Sequence, residues 1–282
     1  MRTMALNRYD SFWQTLITTK DNILKDHLSI VAAGMSYYLL FAFVPALSSI
    51  LLLFALFSNP IKISQQISSF AGQLPTEVQG IIHEQINQFL SQTGQLRVGA
   101  LISLLLTFWG ASKGTKALME ALNMIYSRKE ERGIIELNLM ALFITISGIV
   151  MSVLSVAVII ILPSVLKLLP LPEVVHEFLP WVSWALLLLT FTTFLAICYG
   201  FGASRRWRDW GSIFSASSLA CILWAVTSLL FTFYVSSFGN FKAYGTLSAV
   251  IVLMFWFYIT SYIVLLGAEV SASFEKKAKA LH

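Results

Sequence analysis

The sequence predicts an all-α, polytopic membrane helix bundle. Three observations point there: an excess of apolar residues, a series of long apolar runs, and a one-sided distribution of positive charge. Of the 282 residues, 57% are hydrophobic and only 12% are charged. Mean hydropathy is +0.77. A soluble globular chain is nearer about 45–50% apolar and about 25% charged. So much apolar surface needs lipid as its solvent.

A helix crosses the ~30 Å hydrocarbon layer with about 20 residues. Five runs qualify outright: 29–57, 137–162, 180–201, 211–236 and 244–272. A further run begins at Val98, but its purely apolar part ends at Gly110. It spans only if the helix continues through Lys113, Lys116 and Glu120. The first run is too long for a signal peptide, and no small-residue cleavage site follows it, so it reads as a retained span. The bundle is expected over 28–275, between an N-terminal cytoplasmic or interfacial segment (1–27) and a basic tail (276–282). Residues 58–97 form the longest loop. There Pro75, Val78, Ile81, Ile82, Ile86, Phe89 and Leu90 outline an amphipathic helix on the outer surface. Pro163, Pro170, Pro172 and Pro180 predict an extended second external loop.

Charge fixes the expected orientation. Arg2, Arg8, Lys20 and Lys25 precede the first run. Lys113, Lys116, Arg128, Lys129 and Arg132 follow the second, Arg205, Arg206 and Arg208 the fourth, and Lys276, Lys277 and Lys279 the last. These 15 fall on one side if there are six spans, against four (Lys62, Arg97, Lys167 and Lys242) on the other. Both termini are therefore expected in the cytoplasm. The same pattern accounts for the net charge of +5 without a nucleic-acid partner. Cys198 and Cys221 lie inside apolar runs and read as small buried hydrophobes.

Several segments resemble the YihY/BrkB family of bacterial inner-membrane proteins. The first run carries Ala32-Ala33-Gly34-Met35-Ser36-Tyr37-Tyr38 and then Pro45. The second carries Trp109-Gly110-Ala111-Ser112 and Ala121-Leu122-Asn123-Met124-Ile125-Tyr126. The C-terminal part carries Trp224, Tyr234, Asn240, Tyr244-Gly245, Phe255-Trp256, Tyr258 and Leu266-Gly267-Ala268-Glu269 in the family's order. Phe255 and Phe241-Lys242 depart from the pattern. The resemblance implies six spans and a multi-pass inner-membrane address. Family members carry an old ribonuclease BN label, are called virulence or serum-resistance factors, or are linked to lipid export.

The residues themselves offer little for catalysis. A metal-dependent nuclease needs converging carboxylates or histidines. None of His27, His83, His176 and His282 has a partner at ligand spacing. No phosphate loop or nucleophile elbow is present. The expectation is a non-enzyme without catalytic residues, cofactor or metal, and the ribonuclease label is disfavoured.

Ionisable groups inside a span are costly and often functional. Lys113, Lys116 and Glu120 fall within an arc of about 60° on one helix face, and Asn123 widens it to about 80°. With Glu269 these residues are the candidate lining of a polar cavity open to the cytoplasm. The alternative is that both lysines snorkel to the headgroups, Lys116 pairs with Glu120, and Glu269 pairs with Lys276 or a loop arginine. Pro45 is expected to kink the first helix. Gly110 and Gly114 make a small-xxx-small pair suited to close helix packing. Arg205, Arg206, Trp207 and Arg208 read as an anchor at the membrane interface. The function expected from all this is transport or flipping of a lipid or other amphiphilic anionic solute. Membrane lipids, including anionic phospholipid, are the expected partners, and a homo-oligomer or an envelope protein partner fits equally. An envelope scaffold and a membrane enzyme are the alternatives.

Overall fold

A computed structural model describes residues 22–57, 84, 96–161, 173–205, 207–238 and 247–280. Six long helices run through them: α1 (Leu28–Phe57), α2 (Leu96–Ile125), α3 (Ile134–Val156), α4 (Glu173–Phe201), α5 (Trp210–Phe238) and α6 (Leu247–Ala280). The fold is an all-α membrane helix bundle, and no strand occurs among the described residues. Four helices contain described stretches long and apolar enough to cross a membrane: Ile134–Ile159, Phe178–Phe201, Trp210–Ser237 and Val250–Lys276. In lipid the backbone must satisfy its own hydrogen bonds, which leaves helices as the form these runs adopt.

The doubtful second run is a continuous helix. α2 has 30 residues and passes unbroken through Lys113, Lys116 and Glu120. At ~1.5 Å per residue it is about 45 Å long, more than the hydrocarbon layer requires. α1 is also helical through Pro45, whose side chain lies outside the described set. α3 passes into a π-helical turn over Ala157–Ile161.

The extended loop expected up to Pro180 is corrected at its C-terminal end. α4 starts at Glu173 and contains Pro180. Pro180 withdraws one N–H from the ladder, yet every other backbone group on either side gains by staying helical, and its ring is exposed. Pro163, Pro170, Pro172, Asn240, Tyr244, Gly245 and the proposed amphipathic helix of the 58–97 loop lie outside the described residues, Glu84 apart.

The chain divides into two compact units. One comprises residues 30–117 and 226–261. In it, a Cβ placed on Gly110 would sit 3.1 Å from the Ala42 backbone, and one on Gly114 would sit 3.6 Å from Tyr38. The small pair thus serves close packing of α2 on α1. Phe231, Val235 and Val252 form an apolar core there with Trp256 and Ile259.

The other unit comprises residues 1–29, 118–225 and 262–282. α3 packs on α4, where Gly148 meets the Phe194 ring. Leu122, Ile144, Leu195, Ile213 and Leu265 are buried in it, as are Cys198 and Cys221, both free thiols. The Tyr199 hydroxyl donates to the Val264 carbonyl at 2.6 Å, joining α4 to α6. Directly beneath, a Cβ on Gly267 would lie 2.6 Å from the Ala220 Cβ and closer still to the Tyr199 hydroxyl. Gly267→Ala is expected to destabilise the protein by about 1–3 kcal/mol through overpacking. Thermal unfolding in detergent checks this, and wild-type stability in the variant would remove the close approach as a constraint.

Asp209 caps α5. Its carboxylate accepts from the Gly211 and Ser212 N–H groups at 3.2 and 3.3 Å and from the Ser212 hydroxyl, while its carbonyl accepts from Ile213 N–H. The Ser212 hydroxyl, against a weaker opposing effect of burial, holds the Asp209 carboxyl below its usual range, with help from the two N–H groups. The resulting stabilisation is present above the unfolded-state value of about 3.9 and is lost as pH falls through the lower folded value. Asp209→Ala is expected to cost about 1 kcal/mol at neutral pH. The gap should close below about pH 4 in unfolding curves followed by circular dichroism.

Candidate functional site: a buried polar cluster at the ends of α2, α4 and α6

Ionisable and polar side chains gather in the second unit, where α2 and α4 end and α6 passes them. The C-terminal carbonyls of α4 set the arrangement, because a helix end leaves four carbonyls without intrahelical partners. Here arginines supply the donors. Arg205 Nη2 donates to the Tyr199 carbonyl at 2.8 Å and Arg208 Nε to that of Gly200 at 2.5 Å. Arg132 donates to Phe201 and Gly202 at 3.2 and 2.7 Å. Three positive charges at this end also oppose the negative pole of the α4 dipole.

Each arginine is held by a second contact. Arg132 grips Glu130 through Nε and Nη2, at 2.7 and 2.9 Å. Burial alone would raise the Glu130 carboxyl, but hydrogen bonds from Arg132, and then from Asn123, hold it below its usual range. The Arg208 guanidinium lies 4.9 Å from the Phe201 ring centre. Arg205 stacks at 3.8 Å over the Tyr126 ring and pairs with Glu275 of α6. Burial pushes the Tyr126 phenol up, against the pull of Arg205.

Asn123 ties the two connections together. Its Nδ2 donates to Glu130 at 2.8 Å, and its Oδ1 accepts from Ser204 N–H at 2.6 Å. The chain leaves α2 through Ser127 in the left-handed region, φ 51°. It enters α1 the same way through His27, φ 47°, directly after Asp26.

Glu269 stands apart. It is fully buried, and neither carboxylate oxygen makes a hydrogen bond of normal geometry. Asp26 and Asn22, from the segment before α1, lie near it, as does Lys276. The hydroxyls of Tyr126 and Ser271 are likewise buried, next to one another.

The residues singled out from sequence therefore separate. Asn123 and Glu269 are buried in this unit. Lys113 is exposed, with its Nζ 5.9 Å from the Trp109 ring centre; Lys116 is half-buried and Glu120 exposed. Among the described residues the ion pairs are Arg132–Glu130 and Arg205–Glu275, so neither Lys116–Glu120 nor Glu269–Lys276 is formed. Arg205, expected at the interface, faces inward, because the carbonyl of Tyr199 and the carboxylate of Glu275 both need it. Trp207 is exposed, as an interfacial residue should be, Arg208 is half-buried, and Arg206 lies outside the described residues. Sequence reading missed Tyr126, Glu130, Tyr199 and Glu275 as partners. The one legible signal was a pair of arginines within two turns of a helix C-terminus.

The profile of the Virulence factor BrkB family matches residues 19–282. The chain belongs to that family. Among curated BrkB-like relatives, the ribonuclease-like protein YfkH of Bacillus subtilis is 29% identical over 265 residues, covering 88% of this chain and 90% of its own. A UPF0761 membrane protein of Aliivibrio salmonicida is 28% identical over 269 residues, covering 93% and 83% respectively. No solved structure matches. The BrkB profile covers every residue of the polar cluster.

Removing one member of a buried ion pair strands the other. The Arg205 and Glu275 side chains are 1% and 6% exposed. Glu275→Gln is therefore expected to cost about 3–5 kcal/mol, and the double replacement Arg205→Met/Glu275→Leu less than that. Thermal melts of the single and double variants decide it.

Proposed function

We propose that this BrkB-family protein is a multi-pass inner-membrane protein with both termini in the cytoplasm. Its role is to move a lipid or other amphiphilic anionic solute across or along the bilayer. The observation that carries the reading is the buried cluster of Arg205, Glu275 and Glu269 in a chain of this apolarity. Charges inside a membrane bundle are retained where they face a polar path or one another. Arg128 and Lys129, exposed in the connection after α2, add a cationic rim suited to anionic headgroups. The 15-to-4 asymmetry of Lys and Arg supports the orientation.

The ribonuclease-like name belongs to the Bacillus relative. A metal-assisted nuclease holds its ions with several converging ligands. Among the described residues no group of three or more His, Cys, Asp or Glu side chains converges, so nothing here favours carrying that name over.

The test is movement of a labelled anionic phospholipid across vesicles containing the purified protein. Wild type should speed crossing severalfold over protein-free vesicles. Arg128→Ala/Lys129→Ala, which removes the cationic rim, should lose much of that gain. Equal rates with and without protein would overturn lipid movement by the protein alone.

A further inference from the structure

α3 carries an apolar face that ends in a charge. Glu136, Leu139, Met140 and Phe143 stand at i, i+3, i+4 and i+7, so their side chains share one face of the helix. With Phe201, the last residue of α4, they line an open groove of about 300 Å³. The Phe143 ring meets the Phe201 ring edge-on at 5.6 Å, and Phe201 in turn meets Trp210 of α5 at 5.9 Å. Leu139 and Phe143 are 61% and 46% exposed, so the groove is apolar and uncovered.

Its level in the bundle is set by three apolar stretches. Ile134–Ile159 and Trp210–Ser237 begin there, and Phe178–Phe201 ends there. A groove at that level has hydrocarbon on one side and headgroups on the other.

Two opposite charges at this end remain open. Glu136 is exposed, and the ion pairs among the described residues, Arg132–Glu130 and Arg205–Glu275, leave it without a cation. The Arg208 guanidinium lies 4.9 Å from the Phe201 ring centre. Its Nε serves the Gly200 carbonyl, and its two terminal amino groups have no partner among the described residues. Arg132 cannot stand in, because Glu130 and the Phe201 and Gly202 carbonyls engage all three of its nitrogens. A guanidinium fork matches a phosphate, and a carboxylate matches an ammonium.

We propose that this groove seats a resident phospholipid whose headgroup bears a primary ammonium, as phosphoethanolamine does. One acyl chain lies along Leu139, Met140 and Phe143 against Phe201. Arg208 holds the phosphate, and the ammonium donates to Glu136. The volume is at the small end of ligand sites, which suits one chain rather than two. A purely anionic headgroup would set its charge against Glu136. The site goes beyond the transport reading and does not rest on it, since a lipid held here need not cross the bilayer.

Native mass spectrometry of the full chain tests it. The protein in detergent is offered phosphatidylethanolamine and phosphatidylglycerol with the same acyl chains, in equal amounts. Wild type should retain the ethanolamine lipid roughly two- to fivefold over the glycerol lipid, the scale of one ion pair at a solvent edge. Glu136→Lys should reverse the preference. Arg208→Gln, which keeps a donor for the Gly200 carbonyl, should weaken retention of both lipids. Leu139→Trp, which fills the groove, should do the same, while Ile149→Trp, exposed farther along α3, should change neither. Equal retention of the two lipids by wild type, or a preference that Glu136→Lys leaves in place, would overturn the proposal. So would a Leu139→Trp variant that holds lipid as wild type does. A lipid-free dimer that Leu139→Trp dissociates would assign the groove to a second copy of the chain and overturn it as well. Should Arg208→Gln fail to fold, the reversal at exposed Glu136 decides.

Discussion

The cluster depends on the open carbonyl end of α4. A helix that stops at the edge of a membrane leaves four carbonyls pointing where water is scarce. Tyr199, Gly200, Phe201 and Gly202 are served here by side chains, and Arg132, Arg205 and Arg208 do the serving. Once the arginines are committed, their counter-charges follow. Glu130 must sit by Arg132, Glu275 must reach Arg205 from α6, and Asn123 must hold Glu130 and Ser204 in register. Close packing below completes the arrangement. Gly202 has no room for a side chain against Leu122 and the Cys198 carbonyl, and Gly267 has none against Tyr199.

This reorders the meaning of the basic loops. Counting Lys and Arg by loop treats them as interchangeable markers of one membrane side. Of the six in the connections after α2 and α4, at least three are hydrogen-bond donors to one helix end. An arginine is suited to that task because its donors form a rigid fork, and a lysine at the same place would reach one carbonyl as a point charge. Exposed Arg128 and Lys129 remain as field-setting charges.

Much of the fold was legible. Apolar run lengths gave most of the helix ends within a few residues; the exceptions are α4, which starts at Glu173 and encloses Pro180, and α6, which runs on to Ala280 through most of the segment expected as a basic tail. The first has a physical root: proline's preference for loops is a solution rule, and lipid penalises the alternative more. The small pair Gly110 and Gly114 was legible as packing surface. The candidate site was legible only in part. Periodicity placed Lys113, Lys116 and Glu120 on one face, but it could not show that Lys113 and Glu120 are exposed while Glu269 is enclosed. Contacts such as Arg205–Glu275 join residues 70 apart, and no local pattern encodes them. Asp26, in an ordinary-looking turn, carries no sequence mark of its proximity to α6.

That long reach bears on how the protein is made. Membrane helices emerge from the ribosome in order, and Arg205 is synthesised before α5 and α6 exist. Its counter-charge, Glu275, arrives with the final turns of the last helix. Until then an arginine destined for the interior has no carboxylate to meet it, and it must stay at the water boundary with the end of α4 unfinished. Closure of the cluster therefore waits until α6 has been made.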